Sequence, residues 1–115
     1  MSRENPKDPQ PPHDNGNHKV HVTAIYTSTG ADAHLVVDAD VTLRDAITHA
    51  YERLKETARP GDTYFAVLPN APRLALAPYI DYTLARLRDE GLGVQREGHN
   101  KSTLYLDIDT KPGGA

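Results

Sequence analysis

A chain of 115 residues is one domain's worth, and its 37% apolar content supplies one modest core once the polar ends are set aside, so a second domain is excluded. There is no cysteine, which removes disulfides, thiolate metal sites and a cysteine nucleophile; any thioester chemistry must belong to a partner. The net charge of −3 comes from interspersed signs with no basic stripe for phosphates, so no nucleic-acid partner is expected. Residues 1–17 lack the apolar stretch of a secretory signal, and no apolar run approaches the roughly 18 residues of a membrane span, so the expectation is a cytoplasmic protein with no membrane partner.

Residues 1–17 hold four prolines and almost nothing apolar, and read as a disordered arm, because too little surface can be buried to offset the entropy of ordering. Alternation begins at His18 and puts Val20, Val22, Ala24 and Tyr26 on one face of a strand. The turn residues of 28–32 lead to a second strand over 33–37, with Ala33, Leu35 and Val37 on one side, and the short connection predicts an antiparallel hairpin. The period then changes. Leu43, Ala46, Ile47, Ala50 and Leu54 fall at helical spacing over 42–57, with Thr42 as cap, Asp45 in the capping-box position and Arg59-Pro60-Gly61 as the stop.

The aromatic and β-branched run 63–68 predicts a third strand, and Pro72 keeps the residues after it irregular. A second, shorter helix is predicted over 78–90, opened by Pro78, striped by Ile80, Leu84 and Leu87 and closed by Gly91. The chain then forms a hairpin from 94–97 and 102–109, in which Leu104, Leu106 and Ile108 alternate with Thr103, Tyr105, Asp107 and Asp109. The expected fold is α+β: a mixed sheet of about five strands packed on one main helix, with Leu43, Ile47 and Leu54 filling the concave side. The chain thus divides into an arm at 1–17, a domain at 18–109 and a tail at 110–115.

This order of elements, with a closing strand that runs into a glycine-ended tail, resembles the ubiquitin superfold, a β-grasp. The segment Ser102-Thr103-Leu104-Tyr105-Leu106-Asp107-Ile108 looks like the last strand of ubiquitin, and Lys111-Pro112-Gly113-Gly114-Ala115 looks like its basic residue and di-glycine. Val37 to Ile47 is similar in design to ubiquitin's second strand running into its helix. The chain resembles in particular the stand-alone bacterial ubiquitin-like proteins found beside activating-enzyme-like, conjugating-enzyme-like and deubiquitinase-like proteins. That resemblance implies a protein modifier, processed after Gly114 and conjugated through the exposed glycine carboxylate to a protein target. Its partners would be an activating enzyme, a conjugating enzyme and a deubiquitinase-like protease. Two departures stand out. Asp107 and Asp109 replace ubiquitin's valine and arginine, which removes its apolar recognition patch, and Pro112 precedes the glycines.

The chemistry fits such a tail. A carboxylate forms an amide or ester in water only after activation, so ATP is needed by the partner activating enzyme, and no cofactor is expected on this chain. The six residues from Asp109 to Gly114 reach about 20 Å at roughly 3.3 Å each. Gly113 and Gly114, with no Cβ, suit a narrow channel. Ala115 blocks the glycine carboxylate, which makes the Gly114–Ala115 bond the expected cleavage site. Tyr105, Tyr64 and Val67 are candidates for a docking surface.

No phosphate loop, nucleophile elbow or Ser/His/Asp spacing stands out, so the chain is not expected to be an enzyme and no catalytic residue is assigned. No metal site is expected either: no histidine pair has helical ligand spacing, and His21 and His34 across the hairpin read as an ordinary surface pair. Asp38-Ala39-Asp40 reads as an acidic turn before a helix. Two other functions compete. A β-grasp sulfur carrier also ends in di-glycine but bears a thiocarboxylate, and a non-covalent interaction module would not use the tail at all.

Overall fold

The computed structural model describes residues 18–97 and 101–110. The arm at 1–17, the tip of the last hairpin and the tail from Lys111 to Ala115 lie outside the described residues. The elements are β1 (Lys19–Tyr26), β2 (Ala31–Asp38), α1 (Leu43–Leu54), β3 (Asp62–Ala66), β4 (Leu74–Ala75), a 3-10 turn (Ala77–Tyr79), α2 (Leu84–Glu90), β5 (Gln95–Glu97) and β6 (Lys101–Thr110). The fold is α+β, with six strands in one mixed sheet ordered β2-β1-β6-β3-β4 and β5 added to β6. β6 is central. It runs parallel to β1, with His21 beside Thr103 and Tyr26 beside Ile108, and antiparallel to β3, with Tyr64 beside Ile108. β5 shares the β3 side of β6 but covers only its start, at Lys101 to Thr103. This is the β-grasp arrangement that the element order predicts, with one more strand than expected.

Alternation explains which face is buried. Val20, Val22, Ala24 and Tyr26 of β1 and Leu104, Leu106 and Ile108 of β6 are all sealed from solvent, and they meet Leu43, Ala46, Ile47, Ala50, Tyr51 and Leu54 of α1. Leu35 of β2 is buried with them, whereas Ala33 and Val37 on the same side are half-buried at the sheet's edge. Thr42 caps α1 as its position predicts: its Oγ1 accepts from the Asp45 N–H at 3.2 Å. The helix stops at Leu54, earlier than Arg59-Pro60-Gly61 suggests. Lys55 takes a left-handed conformation (φ 59°, ψ 38°), and the Glu56 N–H returns to the Tyr51 carbonyl at 3.2 Å, so the cap closes without glycine.

The second predicted helix is split. Only Ala77–Tyr79 is 3-10, and α2 begins at Leu84 behind Thr83, which is extended (φ −71°, ψ 157°) and accepts from the Arg86 N–H at 3.1 Å. The residues between serve α1 instead. The carbonyls of Tyr82 and Ile80 accept from the first free N–H groups of α1, at Leu43 (2.8 Å) and Arg44 (2.9 Å). Reciprocally, Val41 and Ala39 accept from Leu84 (3.0 Å) and Ala85 (2.9 Å) of α2. A continuous helix over 78–90 would keep those carbonyls for itself and leave the α1 terminus unpaired.

Gly93 lets the chain pass close to the sheet. Its φ is +103°, and a Cβ built there would lie 2.7 Å from the Cβ of Ala66, a buried atom fixed to the β3 backbone. Gly93→Ala is therefore expected to cost about 2 kcal/mol of folding stability through backbone strain and overpacking. Urea titration would measure it; an unchanged midpoint would show that the segment relaxes freely.

Candidate docking face and tail root

β6 carries the chain toward the glycines, and its end is held in a cluster of polar groups gathered from four segments. Asp62, at the start of β3, pairs with Thr110 across the sheet. Its carboxylate accepts from Thr110 Oγ1 at 2.5 Å, from the Tyr26 hydroxyl at 3.2 Å, from the Arg59 N–H at 3.1 Å and from the Tyr51 hydroxyl. The Arg59 guanidinium donates to the Tyr26 hydroxyl at 2.8 Å and lies 5.2 Å from the Tyr26 ring centroid. Tyr64 completes the cluster, its hydroxyl 3.2 Å from that of Tyr51 and the two rings edge to face. Burial alone would raise the Asp62 pKa, but donors from Thr110, Tyr51, Arg59 and Tyr26 outweigh it and hold the carboxyl below its ordinary value. Burial and the Asp62 contact push the Tyr51 phenol well up. Further along the edge, the Thr27 hydroxyl donates to Asp109 at 2.8 Å and the Thr27 N–H to the Ile108 carbonyl at 2.9 Å. Thr110 is thus a fixed point, separated from Gly113 only by Lys111 and Pro112.

The face of the sheet opposite α1 carries polar and aromatic side chains, among them Thr103, Tyr105, Asp107 and Asp109 of β6. Tyr105 stands there, its hydroxyl donating to Glu97 at 2.9 Å, while the Thr103 hydroxyl donates to the other Glu97 oxygen at 2.9 Å. These two bonds hold the Glu97 pKa below its ordinary value, and the same contact raises that of Tyr105. Val67 follows β3, its N–H donating to the Tyr105 carbonyl at 2.8 Å. Farther toward the tail root, Arg73 donates to Asp107 at 3.1 Å and to Asp109 at 2.9 Å, and its guanidinium lies 4.2 Å over the Phe65 ring. Arg73 first, then Thr27, keeps the Asp109 pKa low. Arg73 therefore bridges both aspartates and offsets one of their two charges, which leaves a polar, net-acidic surface beside the Phe65 ring. Ile25, 38% exposed and beside Asp107, is its largest open apolar side chain.

The structure separates the three candidate docking residues. Tyr105 and Val67 flank one another across β6 and the end of β3. Tyr64 belongs to the α1 side, since it sits opposite the buried Ile108 and contacts Tyr51. Their spacing carried this signal: residues 64 and 67 of the predicted 63–68 run are an odd number apart, which in an extended chain points them to opposite faces. Sequence reasoning missed Asp62 and Arg73. Asp62 has one near partner in the Arg59 N–H, three residues away, but Tyr51, Tyr26 and Thr110 lie 11, 36 and 48 residues away, and the Arg73 partners Asp107 and Asp109 lie 34 and 36 away. Gly113, Gly114 and Ala115, the candidate conjugation and cleavage residues, fall outside the described residues. No helix among the described residues is long and apolar enough to cross a membrane. No known family model matches this chain, and neither does any curated protein.

Proposed function

We propose that this chain is a ubiquitin-like protein modifier, trimmed after Gly114 and joined through that glycine's carboxylate to a protein target in the cytoplasm. The observation that carries the reading is the end of β6: the central strand of a β-grasp sheet is pinned at Thr110 by Asp62, just ahead of Lys111-Pro112-Gly113-Gly114. A conjugated domain needs a rigid body for recognition and a short segment that reaches a catalytic centre. Four residues beyond Thr110 span about 13 Å when extended. Within this proposal the body is a passenger. A partner protease exposes the Gly114 carboxylate, a partner activating enzyme uses ATP to adenylate it, and a conjugating enzyme passes it to the target, while the face around Tyr105, Val67 and Arg73 is the docking surface.

The purified chain, incubated with its cognate protease, is expected to lose everything after Gly114. With the activating and conjugating enzymes and ATP it then gains the mass of a target protein. Gly114→Ala is expected to abolish these adducts without altering the circular dichroism spectrum. Replacement of one Gly114 carboxylate oxygen by sulfur would instead make it a sulfur carrier, and adducts that survive Gly114→Ala would overturn the reading.

A further inference from the structure

His21 on β1 and His34 on β2 lie diagonally across the hairpin on the open face, since His21 pairs with Val36 and His34 with Thr23. Their nearest ring nitrogens, His21 Nδ1 and His34 Nε2, are 3.4 Å apart, and the ring centroids are 5.4 Å apart with the planes tilted by 38°. At that spacing the two nitrogens share a long hydrogen bond, with either ring as the donor. It is also the right spacing for two ligands of one ion: two bonds of about 2.05 Å meeting near the tetrahedral angle place their nitrogens roughly 3.35 Å apart. Rings aimed at such a shared point would have centroids about 5.3 Å apart.

The surroundings suit neutral imidazoles with free lone pairs. His34 Nδ1 is 3.3 Å from Thr23 Oγ1, and the tautomer that donates there leaves Nε2 as an acceptor aimed at His21. Of the charged neighbours, Lys101 opposes a cation and Glu97 favours one. Among the described residues no set of three histidine, cysteine or acidic side chains converges on one point, so water would fill the remaining positions.

We propose that His21 and His34 form a surface site for a divalent transition-metal ion of the zinc class, which clips β1 to β2. The inference stands apart from the modifier reading, because neither residue belongs to the tail or its root. Titration of the full chain with zinc chloride by calorimetry, with imidazole NMR signals followed in parallel, tests it. One ion per chain is expected, with the His21 and His34 signals shifting together. His21→Ala and His34→Ala should each weaken binding at least ~10-fold, while His49→Ala, on α1, should not. His34 is exposed and His21 half-buried, so neither substitution removes a core side chain, and circular dichroism checks that both variants fold. Absence of binding, or binding that survives both substitutions, would overturn the proposal.

Discussion

Truncating Leu106 to alanine is expected to remove about 3–5 kcal/mol of stability. The residue is 1% exposed at the centre of β6, and its cross-strand neighbours are Ala24 on β1 and Ala66 on β3. Two small neighbours leave Leu106 to fill the space between sheet and helix. Neither can expand into the gap, so the cost is the lost transfer free energy plus an uncollapsed cavity. Folded domains of this size have only about 5–15 kcal/mol to lose, and each kcal/mol displaces Tm by roughly 4–8 °C. Urea unfolding measures the change; a loss below about 1 kcal/mol would mean that the interior repacks.

Removing the Asp62 carboxylate, as in Asp62→Ala, is expected to cost about 3 kcal/mol and to loosen the end of β6. The change takes the acceptor from several donors at once, the part-buried hydroxyls of Thr110, Tyr26 and Tyr51 and the exposed Arg59 N–H, and each part-buried donor that loses its partner carries a penalty of about 1 kcal/mol. Protonation should reproduce part of this. The folded Asp62 pKa lies below its unfolded value, so its contribution is fully present above about pH 4 and disappears as pH falls through the folded pKa. Asp38, Glu97 and Asp109 are shifted the same way and add to acid sensitivity in the wild type. The difference between wild type and Asp62→Ala should therefore shrink below pH 4, and hydrogen exchange at residues 108–110 should accelerate in the variant. An undiminished gap at low pH would show that Asp62 acts through packing and not through its charge.

The parts of the fold readable in advance were those written in a single repeating period. The alternation of Val20, Val22, Ala24 and Tyr26, the helical spacing from Leu43 to Leu54 and the run Leu104, Leu106, Ile108 each name the face that is buried. Thr42 was legible because a cap acts over three residues. Features set by distant partners were not. β4 is only Leu74–Ala75, too short to show a period, and it exists because β3 offers an edge. The break at Thr83 depends on α1 needing the carbonyls of Ile80 and Tyr82, which no local rule conveys. For the tail, sequence supplies the glycines and the structure supplies the anchored strand ahead of them. The Asp62 cluster that anchors it joins side chains from four separate segments, and only folding brings them together.

The direct test is the site of attachment. Trypsin cuts after Lys101 and is blocked at Lys111 by Pro112, so a conjugate joined through Gly114 should yield target peptides carrying the branch Ser102 to Gly114. Mass spectrometry of digests from cells making the chain with its partner enzymes is expected to find that branch, and to find none with Gly114→Ala. Adducts linked through any other residue, or none from the wild-type chain with active partners and ATP, would contradict the account.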